Sequence, residues 1–401
     1  MKFNKNFHLL LAGQSLANIG DVLYIVSVIS VIFRLTGSAT AAAFVPFLIT
    51  TAMFVSNALT PLLMGRFNLK GLLAGSQTVK TILMITLAIL LPAMTSTTYY
   101  AVFFIIACIA FLDGCATPVT KSLLPVYVND ELLLKANSIT ETVTQLIQTV
   151  MWFIGSLLLV LASANGLIWA TAGLFFCSRA LLVFLVKAEF TSSNTIGKWD
   201  QLKLGWHTVS KTPTLKRIAW MDFFETIAGT VWIAAILYVF VSDVLHAGEA
   251  WWGYINGAFS LGLIGGSLFC LKFSSIVDKN FSFFVFFGAV ASCFATVLFG
   301  LTSLPWAALI LSLLLGVFAQ LKNIPQQTLV QTSVPKDHLP MVFTTLGAIG
   351  TGTFGVASLL MGILADLFGV RSAFLFSGLL LAMVGLISFK GKAQSLHSVH
   401  E

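Results

Sequence analysis

The chain contains PVTKSLLPVYVNDEL at residues 118–132 and PQQTLVQTSVPKDHL at residues 325–339. When the two segments are aligned, the first proline, an aspartate near the end and the final leucine coincide. Each segment leaves an apolar stretch and enters a polar joint, at corresponding places in the two halves of the chain. The repetition predicts two copies of one structural unit.

Apolar stretches flank both copies and recur along the whole chain. Hydrophobic residues make up 58% of the 401 residues and charged residues only 9%, whereas soluble domains carry roughly a quarter charged residues. A helix needs about 20 apolar residues to cross a bilayer. The pattern predicts an all-α integral membrane protein with twelve transmembrane helices, at approximately residues 8–34, 39–65, 71–93, 98–125, 137–162, 166–188, 214–242, 249–273, 281–302, 305–333, 339–366 and 370–390.

One long polar stretch interrupts this series, between the sixth and seventh predicted spans. We therefore expect an N-terminal six-helix half at residues 1–188, a cytoplasmic loop at residues 189–213, and a C-terminal half with a short cytoplasmic tail at residues 214–401. Two pseudo-symmetric halves with a binding site between them at mid-depth are typical of carriers that work by alternating access.

Basic residues are distributed unevenly between the predicted joints. Most of the 22 Lys and Arg residues lie in alternate joints, whereas the opposite joints contain only Arg34 and Arg371. Because basic joints stay in the cytoplasm, the pattern places both termini there, in a protein of the inner or plasma membrane. These joints account for the formal net charge of +7, which therefore gives no support for nucleic-acid binding.

Polar side chains repeat at helical spacing within several predicted spans. In the first span, Gln14, Asn18 and Asp21 follow one another at spacings of four and three residues, so they share one helix face. An ionisable group in hydrocarbon costs at least ~2.5–3.5 kcal/mol unless it faces a cavity or a partner. We therefore expect a substrate and proton path lined by Asp21, Asp113, Glu225, Lys322, Asp222, Glu141, Asn18, Gln145 and Gln326.

Several of these side chains also allow a structural interpretation. The amides can hydrogen-bond between helices, and Glu141 can form an ion pair at a cytoplasmic gate. Lys322 predicts cargo with an anionic group, or else a lysine neutralised by Asp113. Lys80 and Arg179 are expected to extend toward the cytoplasmic surface.

Three segments resemble those of major facilitator superfamily exporters of the macrolide-efflux and siderophore-exporter type. They are NIGDVLYIVSVISVIFRLTGSAT at residues 18–40, LPVYVNDELLLKANS at residues 124–138 and QTSVPKDHLPMVFT at residues 331–344. In the first, a Gly-Asp pair precedes a Leu-Thr-Gly-Ser-Ala turn, as in that family. The resemblance implies the major facilitator fold, and it makes Asp21 the acid of the first helix.

The same resemblance implies a cytoplasmic gate at the basic joint after the second helix. Arg66 and Lys70 match part of that joint, and Asp278 and Lys279 match a fragment of it in the second half. Gly65 stands where the family has an aspartate, so the chain departs from the family at the residue that latches the halves. The Gly-Pro signature of drug and proton antiporters is also missing from the fifth helix.

Together these features predict a secondary transporter that exports a small organic molecule, a drug or an antibiotic, in exchange for protons. Asp21 and Glu225, from the first helices of the two halves, are the expected proton carriers. The alternative is export of a carboxylate-rich metallophore or siderophore, which the embedded cation Lys322 and the family resemblance suggest.

Other functional classes are disfavoured. The sequence has no GxxxxGK[ST] nucleotide-binding loop, its six His residues lie in joints or tails, and its cysteines lack metal-ligand spacing. No enzyme activity, cofactor or metal site is therefore expected. A membrane receptor would carry a sizeable soluble domain, for which the short joints leave no room. We expect a monomer surrounded by membrane lipid.

Overall fold

The computed structural model describes residues 3–36, 39–64, 68–95, 100–161, 163–187, 198–232, 234–248 and 250–397. These residues form α-helices and short 3-10 turns, and they contain no β-strand. The α-helices are α1 (Lys5–Thr36), α2 (Ala39–Met64), α3 (Leu69–Leu90), α4 (Tyr100–Tyr127), α5 (Leu133–Leu161), α6 (Ala164–Val183), α7 (Lys198–Lys211), α8 (Pro213–Gly229), α9 (Ala234–Asp243), α10 (Ala250–Lys272), α11 (Ser274–Lys279), α12 (Phe281–Leu301), α13 (Pro305–Thr332), α14 (Leu339–Phe368) and α15 (Val370–His397).

Long helices are the structure expected of apolar stretches that cross a membrane. In hydrocarbon every backbone N–H and C=O must be paired within the chain, and a helix pairs them along its length. Among the described residues, ten helices are long and apolar enough to cross a membrane, and one bent pair would make eleven. The all-α membrane fold is confirmed, but the predicted count of twelve is not reproduced. The fifth predicted span is the helix α5.

Polar side chains fix the starts of two helices. Asn68 Oδ1 accepts a hydrogen bond from the backbone N–H of Gly71 at 2.6 Å, and Ser163 Oγ accepts one from the N–H of Gly166 at 3.1 Å. Each bond pairs one of the backbone donors that a helix start leaves open. Lys70 consequently lies in the first turn of α3 and not in a flexible joint.

The chain divides into two compact units, of which the first consists of Met1–Asn129, Leu146–Trp206 and Lys336–Thr351. Within this unit α1 packs on α6, α2 on α4, and α3 on both α4 and α6. The buried core combines branched and aromatic side chains of α1, α3, α4 and α6, including Tyr24 and Phe175.

The last stretch of the first unit is held by contacts that need glycine. A Cβ at Gly347 would lie 2.9 Å from Asn57 Oδ1, and a Cβ at Gly205 of α7 would lie 2.6 Å from the Met341 carbonyl oxygen. The central segment that was expected to be a loop therefore contains a helix packed on α14, while residues 188–197 lie outside the described residues. The division into two six-helix halves stays a prediction.

The second unit consists of Asp130–Gln145, His207–Pro335 and Gly352–Glu401. Within it α10 packs on α13, α12 on α13 and α15, and α8 on α15. The backbones of α10 and α13 approach closely, because a Cβ at Gly266 would lie only 2.6 Å from the Val317 carbonyl oxygen. Small residues allow such close approach between membrane helices.

The seventh predicted span is broken. Its two parts, Pro213–Trp232 and Ile236–Asp243, are bent by 48°. Trp232 lies at the end of the first part, and its ring centroid is 4.7 Å from that of Phe299 and 5.4 Å from that of Phe374. Aromatic packing therefore anchors the break within the core of the second unit.

Candidate functional site

Lys80 lies at the centre of a buried ion cluster in the first unit. Its Nζ donates to Asp21 Oδ1 at 2.7 Å and to Asp113 Oδ1 at 2.6 Å, which ties α3 to α1 and α4. The Lys80 side chain is 0% exposed. The expectation that Lys80 extends to the surface is wrong, because two carboxylates hold its ammonium inside the bundle. We refer to these three residues as the Lys80 cluster.

Buried and aromatic side chains surround this cluster. Lys80 Nζ lies 4.2 Å from the centre of the Phe175 ring, which is a cation–π geometry. Tyr24, one turn after Asp21, is buried, and so is Gln77, one turn before Lys80. The ammonium is therefore enclosed where little water screens it, and its attraction to the carboxylates is stronger than at a surface.

The Lys80 cluster has one more acid than base. Its formal charge is −1 when the lysine is protonated and both carboxylates are ionised, and zero when one proton binds to either carboxylate. Because desolvation penalises net charge, a bound proton lowers the cost of enclosing the cluster in protein. Proton binding and closure of the protein around the cluster therefore favour each other.

The second unit holds another buried lysine. Lys322 of α13 is 1% exposed, and its Nζ donates to the Glu225 carboxylate of α8 and to Asn323 Oδ1 at 3.1 Å. Asp113 was named as the partner of Lys322 in one of the two alternatives for this lysine; the structure instead bonds Asp113 to Lys80 and pairs the Lys322 ammonium with Glu225.

A second contact lies one turn further along the same two helices. Gln326 Nε2 donates to Asp222 Oδ1 at 2.7 Å. Asp222 precedes Glu225 by three residues on α8, and Gln326 follows Lys322 by four residues on α13, so the two contacts form a ladder. Gln326 is buried, and among the described residues its Oε1 has no hydrogen-bond partner. We refer to these four residues as the Lys322 cluster.

Three predicted path residues do not join either cluster. Asn18 is half-buried on α1, and Glu141 and Gln145 are half-buried on α5. Within the described ranges, none of them donates a hydrogen bond to a cluster member or accepts one from it. Their roles stay predictions.

The predicted gate residues are placed only in part. Arg66 lies outside the described residues. Lys70 is in the first turn of α3, and Asp278 and Lys279 end the short helix α11. Asp278 is largely exposed, and its partial burial raises the pKa of its carboxyl. No ion pair found among the described residues includes a gate residue, so the gate stays a prediction.

Sequence reasoning missed Lys80, although its neighbours carry a usable signal. Leu73, Lys80 and Leu87 are seven residues apart and share one helix face, which is fully buried. A lysine in line with buried leucines needs a buried counter-charge. Arg179, the other side chain expected to reach the surface, donates instead to Thr78 Oγ1 at 2.9 Å.

Sequence reasoning also missed a buried amide network between α5 and α13. Asn137 Nδ2 donates to Thr328 Oγ1 at 2.9 Å and to Gln331 Oε1 at 2.6 Å, and Asn137 Oδ1 accepts from Gln327 Nε2 at 2.9 Å. Asn137 is 0% exposed. It was overlooked because it begins the fifth predicted span, where an amide would ordinarily meet water.

Neither cluster resembles a metal centre. In the parts of the chain that the structure describes, no group of three or more His, Cys, Asp or Glu side chains could hold a metal ion. Both clusters instead combine carboxylates with a lysine.

Comparison with known proteins connects this architecture to a family. The pattern of the Major Facilitator Superfamily matches residues 10–352. The uncharacterized MFS-type transporter YfmI of Bacillus subtilis (strain 168) is 30% identical over 390 residues, which cover 96% of this chain and 96% of YfmI. The uncharacterized MFS-type transporter YjbB of the same organism is 27% identical over 385 residues, which cover 96% of this chain and 95% of YjbB.

Solved structures share the fold at low sequence identity. The human organic anion transporter MFSD10 (TETRAN) has a TM-score of 0.78 at 11% identity, covering 96% of this chain and 99% of its own. The E. coli fucose:proton symporter FucP (N162A) has a TM-score of 0.76 at 12% identity, covering 95% of this chain and 97% of its own. The match of the family pattern, the relatives similar over nearly their whole length and the shared fold place this chain in the Major Facilitator Superfamily, whose members are multi-pass membrane transporters and not enzymes.

Proposed function

We propose that this transporter exports a small organic molecule, such as a drug or an antibiotic, in exchange for protons and by alternating access. The observation that carries the proposal is the sharing of one buried ammonium by two carboxylates in the Lys80 cluster. One bound proton changes the formal charge of this cluster from −1 to zero. Protonation on one side of the membrane and release on the other would then drive the cycle.

The geometry favours Asp21 and Asp113 as the proton carriers. Either carboxylate can be neutralised while the other still balances Lys80. Glu225 is the counter-ion of Lys322, so a proton on Glu225 would leave that buried ammonium without its paired charge. We therefore retain Asp21 as a coupling acid and replace Glu225 by Asp113 in that role.

The distribution of basic residues between the joints supports the proposed orientation in the membrane. We propose a monomer in the cell membrane with both termini in the cytoplasm. The fucose:proton symporter shares this fold, which supports proton coupling as a use that the fold allows.

The metallophore alternative has lost one of its two supports. It depended in part on Lys322 as a cation available to carboxylate-rich cargo, and Glu225 holds that cation. Resemblance to siderophore exporters remains its only support.

Transport in inverted membrane vesicles tests the proposal. Uptake of a panel of fluorescent drugs and of one metallophore would be measured with and without an imposed pH gradient, together with the reverse flow of protons. Asp21→Asn and Asp113→Asn keep size and hydrogen bonding but remove a titrating group. We expect each to lose gradient-driven uptake while it still exchanges substrate down a concentration gradient.

Asp243→Asn is the matched control, because Asp243 is exposed at the end of α9. It should transport like the unmodified protein. Full gradient-driven uptake by both single variants and by the double variant would refute proton coupling through the Lys80 cluster.

A further inference from the structure

The helix α7 has one buried face and one exposed face. Gly205 and Val209 are buried, and a Cβ at Gly205 would lie 2.6 Å from the Met341 carbonyl oxygen of α14. The exposed side chains follow one another at helical spacing, so they share the opposite face of the helix. They are Lys203, Trp206, His207, Ser210 and Lys211. We refer to these five residues as the basic face of α7.

The charge around this face has a single sign. Residues 203–221 contain four Lys or Arg residues and no Asp or Glu. Lys203, Lys211 and Lys216 are exposed, and among the described residues none of them belongs to an ion pair. A partner that fits the basic face must therefore carry negative charge.

The contact between α7 and α14 places the basic face at the depth of lipid headgroups. The 30 residues of α14 make a helix about 45 Å long, which matches the ~40–45 Å thickness of a bilayer with its headgroups. Its first turns therefore pass through a headgroup layer. Gly205 lies against Met341 and Thr345 in these turns. In addition, α7 ends one residue before α8, the first part of the broken span.

The exposed aromatic side chains suit the same layer. Trp206 is 55% exposed and Trp220 is 50% exposed. Tryptophan is enriched where a membrane meets water, because its ring lies among the headgroups. A lysine can reach a phosphate there while its stem lies along apolar surface. This combination favours a phospholipid over a nucleic acid or an acidic protein.

We infer that the basic face of α7 binds the headgroups of anionic phospholipids. Lys203 and Lys211 pair with the negatively charged headgroups, and Trp206, between them in the sequence, lies at the boundary with the acyl chains. The inference does not depend on the cargo or on proton coupling, because the basic face shares no residue with the Lys80 cluster or the Lys322 cluster.

Photo-crosslinking from position 206 tests the inference. The full chain, with benzoylphenylalanine in place of Trp206, would be reconstituted into nanodiscs of equimolar phosphatidylglycerol and phosphatidylcholine with identical acyl chains. Illumination attaches this side chain to the molecule that it touches, and mass spectrometry identifies the adduct. We expect adducts of phosphatidylglycerol to exceed those of phosphatidylcholine by at least about fivefold. Raising the salt concentration from about 0.05 M to 0.5 M should reduce this preference.

Three further proteins locate the charge that selects the lipid. Lys203→Gln with Lys211→Gln, in the same photoreactive chain, should bring the ratio of the two adducts close to one. Lys135→Gln with Lys279→Gln is the matched control, since these exposed lysines belong to α5 and α11, and it should leave the ratio unchanged. Benzoylphenylalanine in place of Leu359, which is 71% exposed within α14, should crosslink both lipids equally.

Equal amounts of both adducts at position 206, or a preference that the Lys203 and Lys211 changes leave intact, would overturn the inference. Lipid adducts at position 359 but none at position 206 would overturn it as well, because the basic face would then point into water and suit a soluble acidic partner. None of these results would affect the proposed transport, which is measured separately by gradient-driven uptake in the Asp21 and Asp113 variants.

Discussion

The Lys80 ammonium lies 2.6 Å from the Asp113 carboxylate, although α3 and α4 belong to different predicted spans and the two residues are 33 positions apart. We expect Lys80→Met to destabilise the protein by about 3–5 kcal/mol, because it leaves two partly buried carboxylates without their cation. The thermal denaturation midpoint in detergent measures this effect. Lys216→Met, which changes an exposed lysine, is the control.

Removing one acid as well should restore part of that loss. In Lys80→Met with Asp113→Asn, only Asp21 remains charged, so repulsion between two unpaired carboxylates disappears. We expect a denaturation midpoint between those of Lys80→Met and the unmodified protein. A midpoint for Lys80→Met equal to that of the Lys216 control would show that the cluster contributes no stability.

The partner of Lys322 can be identified by comparing two double variants. Lys322→Met with Glu225→Gln removes both charges of one pair and should be the more stable variant. Lys322→Met with Asp113→Asn leaves Glu225 without its cation, while Lys80 keeps Asp21 as its partner. We expect the second variant to be less stable by several kcal/mol. The reverse order of denaturation midpoints would contradict the pairing that the structure shows.

The glycines of α10 should differ sharply in their tolerance of a methyl group. Gly266→Ala places a Cβ 2.6 Å from the Val317 carbonyl oxygen, so we expect a loss of about 1–3 kcal/mol as α10 moves away from α13. Gly257 has no atom within 4 Å of its ideal Cβ. Gly257→Ala should therefore be neutral, or stabilising by about 0.5–1 kcal/mol through helix propensity. Equal denaturation midpoints for the two variants would argue against close packing at Gly266.

The amide network of α5 gives a further prediction. Asn137→Ala removes a side chain that bonds to three residues of α13 and leaves buried polar groups unpaired. We expect a loss of about 1–3 kcal/mol in chemical denaturation. Asn280→Ala is the control, because Asn280 is exposed and its amide donates to the Ile276 carbonyl one turn away in the same part of the described chain. A loss no greater than that of the control would mean that the network is not stabilising.

For four charged residues, sequence patterns predicted a partner or a cavity but not which residue the partner would be. Asp21, Asp113, Glu225 and Lys322 were all expected to face a partner or a cavity, because a bare charge in hydrocarbon is costly. Their partners depend on which helices pack side by side. Hydropathy carries no such information, so the acid named as a possible partner of Lys322 was Asp113 and not Glu225.

Lys80 shows a second limit of sequence reasoning. A lysine near the end of an apolar stretch ordinarily extends to the membrane surface, and the hydropathy of α3 alone suggests that behaviour. The structure instead encloses Lys80 because two acids on neighbouring helices meet at the same depth. Only the seven-residue spacing of Lys80 from Leu73 and Leu87 could have indicated that Lys80 is buried. That inference requires knowing that this face of α3 packs inward.

The fold class could be predicted because it does not depend on which helices pack side by side. The length of the apolar stretches and the scarcity of charge follow from composition, and the bilayer permits few alternatives. The breaks were not predictable. Trp232, which precedes the bend, packs on Phe299 and Phe374, and Gly205 of α7 lies against α14; hydropathy indicates neither contact.

Because the first unit includes Lys336–Thr351, it cannot be completed when its N-terminal helices are synthesised. The ribosome makes Met1–Asn129 and Leu146–Trp206 early, but this unit cannot be completed until residue 351 has emerged. The early helices must therefore wait in the membrane with part of their packing surface uncovered, including the site beside Asn57 that Gly347 later fills. Truncation of the chain before residue 336 would leave both units incomplete.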